Sequence, residues 1–160
     1  MSIEKVKAYF APLGLEGRIQ EFSVSSATVE LAAQALGVEG KRIAKTLSFL
    51  VGEEPVLIVA AGDARIDNPK YKAVFQTKAK MMGHEEVAQR VGHAVGGVCP
   101  FALPADVTVY LDESLRRFET VYPAAGSSNS AIEMTCEELE RYSGSRGWID
   151  VCKGWQEEEV

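Results

Sequence analysis

The apolar positions of the chain switch between a helical period and a strand period. Ile3, Val6 and Phe10 follow Ser2 at helical spacing, and the pattern stops near Pro12 and Gly14. Residues 18–24 read as a short strand. Thr28 has the chemistry of an N-cap for a helix that sets Val29, Ala32, Ala33 and Leu36 on one face and ends at Gly37. Residues 43–51 and 56–61 are strands joined by Gly52-Glu53-Glu54-Pro55, a link of hairpin length. Asn68-Pro69 opens the next helix, a capping residue followed by Pro at the first helical position, with Tyr71, Val74 and Phe75 as its apolar stripe. Residues 80–82 form a brief strand, and 85–91 a short helix closed by Gly92. An irregular Gly-rich passage covers 93–104. A strand at 107–111 leads to Asp112, which can cap a helical turn at 113–118. Strands at 119–124 and 131–134 flank the polar loop Gly126-Ser127-Ser128-Asn129-Ser130. Thr135-Cys136-Glu137-Glu138 is a capping box before Leu139 and Tyr142, with Gly144 at the stop. Residues 148–152 read as a last strand.

Helices and strands are interleaved, yet several strands are sequential neighbours with hairpin-length links. That predicts an α+β fold, a mixed sheet packed by helices, instead of a pure alternation. No Gly-x-Gly-x-x-Gly follows the first strand and no Gly-x-x-x-x-Gly-Lys-Ser/Thr occurs, so no nucleotide cofactor is expected. The 160 residues show no repeat or linker and are expected to form one domain, 1–160. The 46% apolar and 25% charged content is that of a globular chain. With no apolar run of membrane-spanning length and no signal-peptide layout at Met1-Ser2-Ile3-Glu4-Lys5, a soluble, cytoplasmic protein without a membrane partner is expected.

The formal net charge of −6 argues against a protein that grips nucleic acid with its whole surface, and no DNA partner is expected. Residues 41–80, however, carry eight Lys/Arg against four acids, +4, while the other 120 residues carry −10. This basic middle can meet a phosphate backbone locally or serve simply as a solvated face. Three widely spaced cysteines (Cys99, Cys136, Cys152) and two histidines (His84, His93) make neither a disulfide framework nor a zinc-ligand set. No metal site is expected.

Lys45 is the most informative residue. Strand alternation puts it on one face with Ile43, Leu47, Phe49 and Val51, where an amine needs a partner or a route to water. The functional reading is an ammonium at the mouth of an apolar pocket. Gly96-Gly97-Val98-Cys99-Pro100-Phe101 can bring consecutive N–H groups to a carbonyl or carboxylate, or make a plain turn. Cys99 with His93 and Asp112 invites a thiol-nucleophile scheme, set against the commoner role of free Cys as a small buried apolar residue. Gly126, Ser127 and Asn129 can hydrogen-bond a small substrate or merely turn the chain.

Lys45-Thr46-Leu47, Gly96 to Phe101 and Val109-Tyr110-Leu111-Asp112-Glu113-Ser114-Leu115 fall in an order and spacing that resembles the YbaK/prolyl-tRNA-synthetase-associated domain family of aminoacyl-tRNA editing deacylases, over about residues 22–152. The resemblance implies a mixed, strongly curved, barrel-like sheet flanked by helices. It also implies a free-standing, metal- and cofactor-independent hydrolase of the ester joining a wrong amino acid to a tRNA. Carried across, Lys45 is the essential lysine. Thr46, the loop Gly96, Gly97, Val98, Cys99, Pro100 and Phe101, and Gly126, Ser127 and Asn129 form the substrate site. Lys41, Arg42, Lys70 and Lys72 are the expected contacts to the tRNA acceptor end, and an aminoacyl-tRNA synthetase is a further expected partner. Some alanine-editing relatives carry a histidine in the segment matching Gly126–Ser130. Here the serines and Asn129 would suit a polar side chain such as Ser or Thr. Two alternatives stand beside this reading: a non-catalytic module binding aminoacyl-tRNA or a synthetase, and a Cys99-dependent hydrolase of a small ester.

Overall fold

The computed structural model describes residues 2–93 and 96–155. Helix α1 (Ser2–Phe10) buries Val6 and Phe10, and Gly14 ends the short 3-10 turn that follows by adopting φ 75°. Strand β1 (Ile19–Glu21) is shorter than the expected 18–24. Helix α2 (Val29–Leu36) starts where Thr28 accepts the Leu31 N–H and stops at left-handed Gly37. Its buried contact is narrower than the expected face, with Ala32 alone below one-tenth exposure.

Strands β2 (Ile43–Val51) and β3 (Glu54–Ala61) pair antiparallel from Ala44↔Ala61 to Val51↔Glu54. Their link is only Gly52-Glu53, because Gly52 at φ 64° makes the tight turn and Pro55 already lies in the ladder opposite Leu50. The short strand β4 (Arg65–Ile66) precedes helix α3 (Asn68–Phe75). The cap of α3 is Asp67, whose carboxylate takes the Lys70 N–H, and not Asn68. Helix α4 (His84–Val91) ends at Gly92, φ 84°. Then come β5 (Thr108–Asp112), a 3-10 segment over Glu113–Arg117 capped by Asp112, and β6 (Thr120–Pro123), β7 (Ser130–Ile132) and β8 (Met134–Thr135). Helix α5 (Cys136–Tyr142) carries the full capping box between Thr135 and Glu138. The expected final strand is two: β9 (Trp148–Ile149) and β10 (Cys152–Lys153), which join different sheets.

The main sheet runs β8-β6-β2-β3-β5-β9 and is mixed: β2 lies parallel to β6, and β3 and β9 lie parallel to β5. It curls into a half-barrel flanked by helices, an α+β architecture. Two-stranded ribbons β1-β7 and β4-β10 extend it. The core is centred on β3, whose residues 56–61 are all nearly solvent-free, packed with Phe10, Phe49, Tyr71, Phe101, Leu111 and Leu115. No helix among the described residues is long and apolar enough to cross a membrane.

One detail of the sheet positions the site. β6 covers the outer edge of β2 only at Ile43 and Ala44. Further along, residues 80–82 cover it: Leu50 N–H donates to the Lys80 carbonyl, and Met82 N–H to the Ser48 carbonyl, with a bridge between Phe49 and Met81. The predicted strand at 80–82 is reduced to this one bridge. Between the two covers, the edge of β2 at residues 45–47 has no ladder partner among the described residues. N–H and C=O of alternate residues point to the same edge, so those of Thr46 face this gap as those of Ser48 and Leu50 face 80–82.

Candidate active site

A cavity of about 430 Å³ opens over the gap, within the size range of small-ligand sites. Its floor is residues 43–48 of β2. Its walls are Ser26 to Val29 and Ala32 at the start of α2, Met81, Met82, His84 and Val87 around α4, Gly96 and Val98 of the glycine loop, and Tyr122, Ala124, Ser130 and Ala131 from the β6–β7 region. Among the described residues, no wall residue is Asp or Glu, and Lys45 is the only Lys or Arg.

Lys45 is half-buried. Its ammonium donates to the Ala64 carbonyl and, at 3.4 Å, to the Gly62 carbonyl. An ammonium has three N–H donors, so among the described residues one remains for a ligand. Burial pushes its pKa below the usual 10.5, while Cys152, Asp63 and Glu30 pull it back up. Next to it, Thr46 Oγ1 is buried and has no hydrogen-bond partner among the described residues. Such a hydroxyl costs about 1–3 kcal/mol until something bonds it.

The structure brings Lys45, Thr46, Gly96 and Val98 to one cavity and leaves other expected site residues behind the wall. Gly97 is buried against the main chain of Ser127. Pro100 is buried, and Phe101 belongs to the core, stacked edge-on against Phe10 at 4.9 Å. Gly126 is buried. The Ser127 hydroxyl lies 3.0 Å from Asn129 Oδ1 and 2.7 Å from Ser130 Oγ, and the Asn129 amide donates to the Phe22 carbonyl. These groups knit their own loop together, so the polar side-chain specificity expected from them loses its basis.

The thiol scheme fails on geometry. Cys99 is fully buried and outside the cavity wall, and burial pushes its pKa up to about 12. His93 Nε2 lies 2.8 Å from the Phe101 carbonyl, so it carries the proton and donates it there. Cys99 Sγ faces that same nitrogen at 3.6 Å and finds no base. Burial also pushes the His93 pKa down, and its Nδ1 has no partner among the described residues. Asp112, fully buried, spends its carboxylate on the N–H groups of Ser114 and Val151 at 2.9 Å each.

Of the expected tRNA contacts, Arg42 adjoins the cavity: its guanidinium lies 5.1 Å over the ring of Tyr122, a wall residue, and bonds Thr120. Lys41 stands 3.8 Å from Glu39. Lys70 is tied to Asp150 and the Cys152 carbonyl, and Lys72 is exposed on α3. Sequence reasoning misses Ser26, Met81, Met82 and Val87, reads Thr28 only as a helix cap, and reads Ser130 only as part of the polar loop. The local signals for the missed residues are the polar run before the α2 cap and the Met81-Met82 pair.

The chain matches the aminoacyl-tRNA editing domain family over residues 24–142. It is 54% identical to YwhH of Bacillus subtilis across 98% of this chain and all of that protein. It is 30% identical to EbsC of Enterococcus faecalis, named as a candidate Cys-tRNA(Pro)/Cys-tRNA(Cys) deacylase, across 70% of each chain. A proline–tRNA ligase of Limosilactobacillus fermentum is 29% identical over 72% of this chain and 22% of the ligase. Among solved structures, a candidate trans-editing enzyme for prolyl-tRNA synthetase superposes with TM-score 0.85 at 28% identity, covering 96% of this chain and 98% of its own. With the family matched across the β2 lysine, the glycine loop and the β6–β7 region alike, the chain belongs to the aminoacyl-tRNA editing domain family.

Proposed function

We propose that this protein is an aminoacyl-tRNA deacylase acting in trans in the cytoplasm, hydrolysing the ester that joins a mis-selected amino acid to the ribose at the 3′ end of a tRNA. The observation that carries the reading is the Lys45 ammonium, held by two carbonyls at a cavity whose described lining is otherwise free of carboxylate or guanidinium groups. An ammonium with one N–H left over serves to hold the anionic terminus or polarise the ester carbonyl, and a low-polarity cavity strengthens that interaction. Thr46 supplies an unspent hydroxyl and an open main-chain edge, and Gly96 and Val98 of the glycine loop stand in the same wall. In the reaction a water oxygen bonds to the carbonyl carbon, the ester C–O bond breaks, and the ribose hydroxyl leaves with a proton. The protein's part is to position the ester and stabilise developing charge.

The wall offers Met81, Met82, Leu47 and Val87 to the acyl side chain and, among the described residues, no acid to pair with a basic one. The substrates are therefore tRNAs carrying small, uncharged amino acids. The acceptor end approaches past Arg42 and Tyr122, and the likeness to a segment of proline–tRNA ligases makes a synthetase a natural neighbour.

A panel of mischarged tRNAs tests the reading. Release of small neutral amino acids, with acidic and basic aminoacyl-tRNAs spared, supports it. Saturable binding of the panel without release of any amino acid replaces it with the binding-module alternative.

A further inference from the structure

The two acceptors of Lys45 belong to a tight turn between β3 and β4, closed by the Ala64 N–H donating to the Ala61 carbonyl over 2.9 Å. The 3-10 segment Glu113–Arg117 holds that turn from outside. Ser114, fully buried, takes the Ala61 N–H on its hydroxyl at 3.1 Å. Arg117 grips the Asp63 carboxylate with both terminal nitrogens, at 2.6 and 3.0 Å. It also gives its Nε–H to the Ser114 carbonyl at 2.9 Å and reaches the Trp155 carbonyl at 3.2 Å. Its plane lies near the rings of Phe118 and Trp155, at 4.7 and 5.2 Å. Asp112 anchors the start of the segment through Ser114 N–H. On the opposite side the turn rests on Gly40, so closely that a Cβ on Gly62 would stand 2.0 Å from the Gly40 carbonyl oxygen. The turn is clamped between two fixed bodies.

We propose that Asp63 and Arg117 are positioning residues for Lys45, their forked ion pair fixing the turn whose Gly62 and Ala64 carbonyls aim the ammonium at the cavity. This rests on the role given to Lys45 above. An ordinary surface ion pair contributes about 0–1 kcal/mol and has no task beyond that. This one is bidentate, only 22% and 26% exposed at its two side chains, and its guanidinium also donates to the Ser114 and Trp155 carbonyls. Between it and Lys45 lies a single turn of backbone.

The groups facing Lys45 are Asp63 from the turn, Glu30 from α2 and Cys152 from β10, which favour its charged form, and Arg65 from β4, which opposes it. Removing the Asp63 charge takes away one support of the ammonium, so Lys45 should then lose its proton at lower pH.

The test uses Asp63→Asn and Arg117→Lys, the latter keeping the charge but not the fork. Both should lower kcat for deacylation by about tenfold or more while KM stays within about threefold, the pattern of a group acting on the reacting centre. Independently of any tRNA, the NMR resonance of the Lys45 ε-methylene, followed against pH, should titrate lower in Asp63→Asn than in wild type. A brace with a purely structural role would lower Tm and leave that titration in place. A folded Asp63→Asn with the wild-type Lys45 titration, or an Arg117→Lys with wild-type kcat, overturns the proposal. Should Asp63→Asn not fold, Arg117→Lys alone decides it by the same kcat criterion. If the wild-type protein deacylates nothing, the functional reading fails, and the Lys45 titration still decides whether the clamp acts on the ammonium.

Discussion

Gly97 lies against the main chain of Ser127, where a Cβ would stand 2.8 Å from the Ser127 Cα and 2.9 Å from its carbonyl carbon and amide nitrogen. Contact this close joins the glycine loop and the β6–β7 loop into one wall, which puts Gly96 and Ser130 on the same cavity.

Gly97→Ala must therefore part the two backbones. The expected cost is about 1–3 kcal/mol of stability, as for overpacking elsewhere. Because the wall moves with the backbone, deacylation should fall further than the stability loss explains. Gly37→Ala is the control: its φ of 71° strains the substitution, but nothing lies within 4 Å of the added methyl. Urea unfolding and activity at one temperature separate the two. Equal activity losses in both variants would contradict the shared wall.

Cys99 and Cys152 make the fold sensitive to alkali. Burial, aided at Cys152 by Asp112, pushes both thiols up to about 12 from the usual 9.0. Above pH 9 the unfolded chain releases thiol protons that the fold keeps, so stability is complete below pH 9 and is lost between about pH 9 and 12. The slope is about 1.4 kcal/mol per pH unit for each thiol. Lys45 works in the opposite sense. Its lowered pKa means the fold gives up that proton first, so stability gains from it as pH rises toward 10.5. Urea unfolding from pH 8 to 10.5 should show a decline that becomes shallower in Cys99→Ser, with deacylation by that variant mostly intact. Identical pH slopes, or a folded Cys99→Ser with no activity, would contradict the account.

The local signals in the sequence were reliable where one residue decides the geometry. Thr28 and Gly37 bound α2, and the Thr135–Glu138 box opens α5, because caps answer to groups three or four residues away. Asn68 was displaced by Asp67 because either side chain can cap, and backbone geometry chose the earlier one. The strand expected at 148–152 broke in two because the buried carboxylate of Asp112 takes the Val151 N–H, a partner 39 residues away. Lys45 stood out because an amine on an apolar strand is anomalous on its face. The rest of the cavity is long-range: Ser26 meets the Ser128 carbonyl across 102 residues, and no periodicity foretells that. Phe101 looked like loop chemistry and is core, since an aromatic ring beside Phe10 buries more than it can bind.

An acidic protein holding an acidic ligand should do so with few contacts. Lys45 is the one cation in the described cavity lining, and Lys70 is committed to Asp150 and Cys152. With about 2–4 phosphates neutralised, the log–log salt slope of tRNA binding should have a magnitude of about 2 to 4. Charge reversal at exposed Lys72, or at Arg42, should raise KM more than it lowers kcat, since such contacts bind ground and transition states alike. A salt-independent Kd, or reversals without effect on KM, would remove the acceptor end from the account and leave a small-molecule cavity.

The most direct measurement is single-turnover release of the amino acid from a mischarged tRNA by the wild-type protein and by Lys45→Ala, each shown to be folded. With a small neutral aminoacyl group, the wild type should hydrolyse the ester well above its uncatalysed rate, and Lys45→Ala should fall to that rate. A wild type no faster than the uncatalysed reaction on every substrate, or a Lys45→Ala variant as fast as the wild type, would contradict the account.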